Sequence, residues 1–304
     1  MRITQTMLSN NMLRNLSNSY LKMGKLQEQL SSGSKLTKPS DDPVAAVKGM
    51  SYRTTLAKNE QYTRNMNEVN SWLDTTDSTL SEVNKALQRV KDLVTQAAND
   101  TNTPEDREAM QKEVDQLRLQ IRDLANTQQG NKYLFAGTAT DEPLFAGSSA
   151  TMNDDPPLLI TDGTSKPVLG GNNKSVDIEI YEGITFQINE NARSLFHGID
   201  SMMQEVQKGL KGTGSDLSNL IGTVSAQTDR VLEMQAGVGA KQNRIDVMTD
   251  RLSSQKINVT KQISNNEDVE YEDAITQLIT EESIHRAALS VGAKIIQPTL
   301  VDFL

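Results

Sequence analysis

The 304-residue chain contains no cysteine, a single tryptophan and only 4% aromatic residues. Without thiols there is no disulfide, no thiolate metal site and no cysteine nucleophile. Only 36% of the chain is hydrophobic, so one large compact core is not expected. Narrow apolar stripes on packed helices suit such a composition better. No apolar run approaches the length of a membrane span, and membrane insertion is not expected. The opening residues 1–11 lack the apolar stretch and small-residue cleavage site of a secretory signal, which on its own reads as a cytoplasmic chain.

A basic block is also missing. Thirty-one Lys and Arg face 40 Asp and Glu, a net charge of -9, with both signs mixed along the helical stretches. No aromatic residues are interleaved with a cationic patch, so nucleic acid is not an expected partner. The charge serves to keep the free subunit soluble.

What is present is helical periodicity. Leu13, Leu16, Tyr20, Met23 and Leu30 recur at three and four residues, with Gln27 in the remaining slot. This first helix stops at Ser31-Ser32-Gly33-Ser34. Asp42 is placed to cap a second helix with Pro43 as its first residue. From Tyr62 the stripe runs through Met66, Val69, Leu73, Thr76, Leu80, Val83, Leu87, Val90, Val94 and Ala97, broken only by Thr76. Five heptads of this kind indicate coiled-coil packing over roughly 50 Å. After a break at 99–103, Thr103 as cap, Pro104 and Glu105-Asp106 restart a helix carrying Met110, Val114, Leu117, Ile121 and Leu124 and ending near Gly130. The short connection favours an antiparallel return against the preceding helix.

Between 131 and 191 the period changes to two. Val176, Ile178 and Ile180 alternate with Asp177 and Glu179, and Ile184, Phe186 and Ile188 follow across Gly183, which predicts a β-hairpin. Leu158-Leu159-Ile160 and Pro167-Val168-Leu169 are further short apolar pieces between turn residues. A long heptad frame then resumes after Gly212-Thr213-Gly214 at Leu217, Ile221, Val224, Val231, Val238, Ile245, Leu252, Val259 and Ile263. Its other slots hold Thr228, Gln235, Gln242, Thr249 and Lys256, a wetter seam. A last stripe carries Tyr271, Ile275, Leu278, Leu289 and Ile296.

The expected fold is therefore mainly α with an inserted β-rich domain, an elongated antiparallel coiled-coil rod that is α+β overall. Its expected segments are a terminal helix and loop at 1–42, half of the rod at 43–130, the β-rich domain at 131–191, the second half of the rod at 192–264 and a C-terminal helix at 265–304. Two amphipathic end helices have more apolar face than one subunit covers, and a lone helix is marginal without a packing partner.

Catalytic patterns are absent from the sequence. His197 and His285 belong to no H-E-x-x-H arrangement, and Glu281 and Glu282 before His285 read as ordinary helix-surface residues. Asp41-Asp42 and Asp154-Asp155 stand beside prolines, where capping or turn formation is the simpler account than a calcium site or an acid pair. Ser32-Gly33-Ser34-Lys35 lacks the phosphate-loop framework, and Gly237-Val238-Gly239-Ala240-Lys241 lies inside a heptad pattern rather than after a strand. No cofactor, metal site or catalytic residue is expected.

Leu30-Ser31-Ser32-Gly33-Ser34-Lys35-Leu36 followed by Asp41-Asp42-Pro43-Val44-Ala45-Ala46 resembles the N-terminal stretch of the flagellin superfamily. Asn99 to Arg107 with Gln111-Lys112-Glu113 and Val238 to Ile245 resemble its later helical regions, in the same order, and Asp268 to Ala274 with Leu289 to Leu304 resembles its C-terminal helix. Asn131-Lys132-Tyr133-Leu134-Phe135-Ala136-Gly137-Thr138 and the two chain ends resemble the hook-to-filament junction branch of that family more than flagellin itself.

The resemblance implies a structural, non-enzymatic protein, exported through the flagellar type III channel without a cleaved signal and placed in the extracellular flagellum. Implied partners are hook-associated protein 1, flagellin, copies of the chain in a ring and a flagellar export chaperone. In this family the terminal helices are ordered by packing in the assembly. With their position at the chain ends, this makes Leu13, Leu16, Tyr20, Met23, Ile275, Leu278, Leu289 and Ile296 the expected assembly residues. The alternatives are a filament subunit and, in a different class, an adhesin or hydrolase housed in the middle segment.

Overall fold

The structure, a computed structural model, describes residues 5–99, 102–145, 160–161, 167–168, 170–212 and 217–296. Its described elements are α1 (Gln5–Ser32), α2 (Pro43–Ala97), α3 (Pro104–Ala125), β1 (Gln128–Gln129), β2 (Lys132–Tyr133), β3 (Ile160–Thr161), β4 (Pro167–Val168), β5 (Asp177–Tyr181), β6 (Ile184–Gln187), α4 (Arg193–Lys211), α5 (Leu217–Glu267) and α6 (Tyr271–Ile296). The expected mainly α fold with a small β-rich part is what is found. The chain forms two compact units, Met1–Asn59 with Ser253–Leu304, and Glu60–Leu252.

The unit Glu60–Leu252 is built on the heptad stripes. Met66, Val69, Leu73, Thr76, Leu80, Val83, Leu87, Val90, Val94 and Ala97 of α2 are all buried, as are Leu217, Val224, Val231, Val238, Ile245 and Leu252 of α5. Large apolar side chains contribute about 1.5–3 kcal/mol each when fully removed from water. Thr76, the break in the stripe, tolerates burial because its hydroxyl donates back to the Trp72 carbonyl at 2.8 Å. The wetter slots carry polar crosslinks, Gln235 to Asp77 at 3.0 Å and Gln242 to Asp74 at 2.9 Å, which tie α5 antiparallel to α2 in one register. A polar pair at a heptad position fixes register because any slip leaves its groups unpaired.

Helix α3 starts as expected, with a reciprocal capping box between Thr103 and Asp106 and Pro104 in the first turn. It returns beside α2, where Arg89 meets Glu113 at 2.6 Å. It ends at Ala125, short of Gly130, because Asn126 turns its amide outward to the backbone of Phe145, donating at 2.8 Å and accepting at 2.9 Å. The residues up to Tyr133 form a hairpin of β1 and β2 instead. Gly130 and Asn131 both have positive φ, 54° and 74°, the backbone a tight two-residue hairpin turn requires.

The hairpin of β5 and β6 forms where the period of two predicts it, with Gly183 in its turn and Ile180, Phe186 and Ile188 buried. It sits on α5 through cation-π contacts, Arg244 over Phe186 at 5.4 Å and Arg251 over Tyr181 at 4.7 Å, and through Lys241 to Glu190 at 2.7 Å. The segment 238–245, which carries part of the family resemblance, therefore acts locally. Val238 and Ile245 enter the core while Lys241 and Arg244 hold the β part. Ile160 and Thr161 pair with Val168 and Pro167. Leu158, Leu159 and Leu169, and the Asp154-Asp155 turn, lie outside the described residues.

Helix α4 is an element that the heptad frames do not single out. Leu195, Phe196, Ile199, Met202, Met203, Val206 and Leu210 form its buried face, at the spacing of an amphipathic helix. It also buries Asp200, which accepts Nε of Arg118 and of Arg122, both at 2.8 Å, from α3. Arg118 further donates to Gln207 at 2.9 Å, and Gln207 to Asp115 at 2.6 Å. Burial would raise the Asp200 pKa, but the hydrogen bonds and charges of the two arginines outweigh it and hold the carboxyl below its ordinary value.

Candidate assembly interface

The other unit, Met1–Asn59 with Ser253–Leu304, has little interior. Among the described residues its buried apolar side chains are Val259 and Ala274. Helices α1 and α6 lie antiparallel. The α1 row turned to α6 is Met12, Leu16, Ser19, Met23, Leu26 and Leu30, and the α6 row turned back is Ala274, Leu278, Glu281, His285, Ala288 and Gly292. Small and polar groups fill much of this seam. Glu281 accepts Ser19 and Lys22, each at 3.3 Å, and the His285 ring lies 6.3 Å from that of Tyr20. A β-carbon at Gly292 would run into the Met12 methyl group, so the Met12 side chain lies over this glycine.

Other large apolar side chains of both helices point elsewhere. Met7, Leu13, Tyr20 and Leu21 of α1 and Tyr271, Ile275, Ile279, Ile284, Leu289 and Val291 of α6 are exposed. Of the eight expected assembly residues, Leu13 (57% exposed), Tyr20 (67%), Ile275 (46%) and Leu289 (48%) face outward. Leu16, Met23 and Leu278 are half-covered in the seam between α1 and α6. Ile296 ends α6, and its side chain lies outside the described ones. Met7, Leu21, Ile279, Ile284 and Val291 are exposed in the same way, but they fall off the stripe positions that periodicity selects.

The same unit carries Val44, Val47 and Met50 on α2 and Ile257 on α5 as further exposed apolar residues. In Glu60–Leu252, by contrast, the large exposed apolar side chains among the described residues are Leu232 and Val247. Contiguous exposed apolar surface beyond a few hundred square ångströms marks an interaction site.

Asp41, Asp42 and Glu282 are engaged in local structure. Asp42 caps α2 by accepting the amides of Val44 and Ala45, both at 3.0 Å. Asp41 accepts Lys25 Nζ, Thr37 Oγ1 and the Lys38 amide at 3.0 Å each, and these bonds lower its pKa to about 2, Lys25 contributing most. Glu282 pairs with Arg286 on its own helix, and His197 is exposed. An open groove of about 530 Å³ beside α1 and α6 is lined by Lys22, Lys25, Leu26, Thr276 and Glu281, whose charges are already paired. Among the described residues no three His, Cys, Asp or Glu converge as a metal site, and no helix is long and apolar enough to cross a membrane.

A helical subunit with one unit packed around its own core and another presenting uncovered apolar rows is an assembly protein. Comparison with known sequences agrees. The bacterial flagellin N-terminal helical region matches residues 3–140, and the bacterial flagellin C-terminal helical region matches residues 221–304. The chain belongs to the flagellin family, whose members are structural flagellar proteins. It is 25% identical over 306 residues to flagellar hook-associated protein 3 of Escherichia coli (strain K12), covering 95% of each chain. A flagellin of Clostridium tyrobutyricum is 34% identical over 131 residues, 43% of this chain and 35% of that one. Among solved structures, a flagellar hook-associated protein from Vibrio parahaemolyticus superposes with a TM-score of 0.62 at 21% identity, covering 75% of this chain and all of the other.

Proposed function

We propose that the chain is a structural adaptor of the bacterial flagellum that joins hook to filament, with no catalytic activity. One observation carries this reading: among the described residues nearly all the buried apolar side chains lie in Glu60–Leu252, while the terminal unit leaves many large apolar residues exposed. Covering those rows with helices of neighbouring subunits supplies the packing that the terminal unit lacks. The similarity to hook-associated protein 3 over 95% of both chains supports the junction, and the filament is the alternative because filament proteins match over as much as 93% of this chain.

In this reading the subunit is extracellular, exported without a cleaved signal and escorted by an export chaperone. It packs against hook-associated protein 1 on one side, flagellin on the other, and copies of itself in a ring. Leu13, Tyr20, Ile275 and Leu289 make intersubunit contacts, and Ile296 extends the same α6 segment. The test is electron microscopy of cells lacking the gene and of complemented cells carrying a labelled copy. Label confined to the hook-filament boundary, with flagellin shed by the deletion, supports the junction. Label along the whole filament would make the chain a filament subunit, and intact flagella without label would remove it from the flagellum.

A further inference from the structure

The segment 30–36 that carries the family resemblance has a structural partner far along the chain, at the turn between α5 and α6. Glu267, the last residue of α5, is buried although it is an acid. A buried carboxylate is costly unless paired and hydrogen-bonded, and this one takes the guanidinium of Arg53 from α2. The Glu267 carbonyl accepts the Lys35 amide at 2.6 Å and the Ser34 hydroxyl at 3.1 Å. Val269 donates to the Gly33 carbonyl at 3.0 Å, so Ser34 and Asp268 form a short antiparallel bridge. One residue before Glu267, Asn266 donates to the Ala45 carbonyl at 2.9 Å.

Two glycines make room for this knot. Gly33 has φ +71°, and its missing side chain leaves space for the Tyr271 hydroxyl. Gly49 lies inside α2, where glycine is unfavourable without a reason. The reason is that a β-carbon there would collide with the Glu267 carboxylate. Three segments of one unit therefore meet on Glu267: the loop after α1, the first turns of α2 and the turn into α6.

We infer that Glu267, held by Arg53 and accommodated by Gly49, is a positioning joint that sets the direction in which the α1 and α6 pair leaves the first turns of α2 and the last turn of α5, all within one unit, and so aims the apolar rows for assembly. The joint binds nothing itself; it acts through α1 and α6. This inference rests on the proposed junction role for its assembly half and on geometry alone for the other.

The test uses the full-length chain with Glu267→Gln, which keeps the shape and removes the charge, with Gly49→Ala, which keeps the charge and removes the space, and with Arg53→Lys as the conservative control. Hydrogen exchange of the purified proteins reads the joint, and labelled incorporation at the hook-filament boundary reads assembly. Both disruptive variants are expected to lose at least ~10-fold protection at the Lys35 and Val269 amides, with Glu60–Leu252 unchanged, and to lose incorporation, while Arg53→Lys keeps most of both. Wild-type protection at those amides, or loosened amides with wild-type incorporation, overturns the inference. Failure of the wild-type chain to label the boundary overturns the junction role itself, and is told apart because it needs no variant.

Discussion

The two units of this chain use the same 3.6-residue periodicity for opposite ends. In Glu60–Leu252 the apolar stripes of α2 and α5 close on each other and on α3 and α4, so that large side chains such as Leu73, Leu80, Leu87, Val231 and Ile245 are fully buried. In the terminal unit α1 and α6 meet through a half-covered seam that mixes Leu16, Met23 and Leu278 with Ser19, Glu281, His285 and Gly292, and leave Leu13, Tyr20, Ile279 and Ile284 outside. The first unit holds the buried core and the second the exposed apolar rows. A stripe read from sequence shows that a face is apolar, and not which neighbour covers it.

The contrast is broken most severely at Asp200. Replacing it with Ala strands Arg118 and Arg122 beside a buried gap and is expected to cost about 3–5 kcal/mol in urea unfolding of the chain. The same pair sets an acid dependence. The folded Asp200 pKa is depressed, so its contribution is fully present above the ordinary value of 3.8 and is lost as pH falls through the lowered folded value. Stability measured below about pH 4 should fall more steeply in the wild type than in an Asp200→Asn variant.

Next in size is Leu87→Ala, which opens a cavity in the fully buried seam of α2 and should cost about 2–5 kcal/mol, read as a lowered unfolding midpoint. Gln242→Ala removes one polar crosslink to Asp74 near the surface and should cost about 0.5–1.5 kcal/mol. Leu289→Asp sharpens the comparison from the other side: the isolated chain should lose less than about 0.5 kcal/mol, while incorporation into the flagellum is abolished. A large stability loss at Leu289 would give that residue an ordinary core role.

The smallest effect is at Asp41. Its pKa of about 2 means that the bonds to Lys25, Thr37 and Lys38 persist until the pH falls well below the ordinary 3.8. Titration followed by NMR should show the loop at 37–42 keeping its ordered signals at pH 4 and losing them only on approach to pH 2.

Much of this was legible in the sequence wherever large apolar residues did the packing. The α2 and α5 stripes, the Asp42 and Thr103 caps and the hairpin from Val176 to Ile188 follow from spacing and turn chemistry alone. The seam of α1 and α6 was legible only at Leu16, Met23, Leu30 and Leu278, because its inward rows also include serine, glutamate, histidine and glycine, which no hydrophobic stripe reveals. Leu13 and Tyr20 occupy the frame that periodicity favours, yet the frame one residue before each, at Met12 and Ser19, faces α6. The Gly130-Asn131 turn carries a hairpin signal of its own, overshadowed by the helical stripe running up to it. Asp200 stands among apolar neighbours on α4, and nothing in its own surroundings announces two arginines from α3.

The most direct measurement is hydrogen exchange on the same chain in two states, free in solution and in isolated flagella with the hook-filament boundary intact. Weak protection is expected across 5–32 and 271–296 in the free chain, rising by at least ~100-fold in the assembly, with amides of the buried stripe between 66 and 97 equally protected in both. Terminal helices as strongly protected in the free chain as in the flagellum would contradict this expectation, because that unit would then be complete without its neighbours.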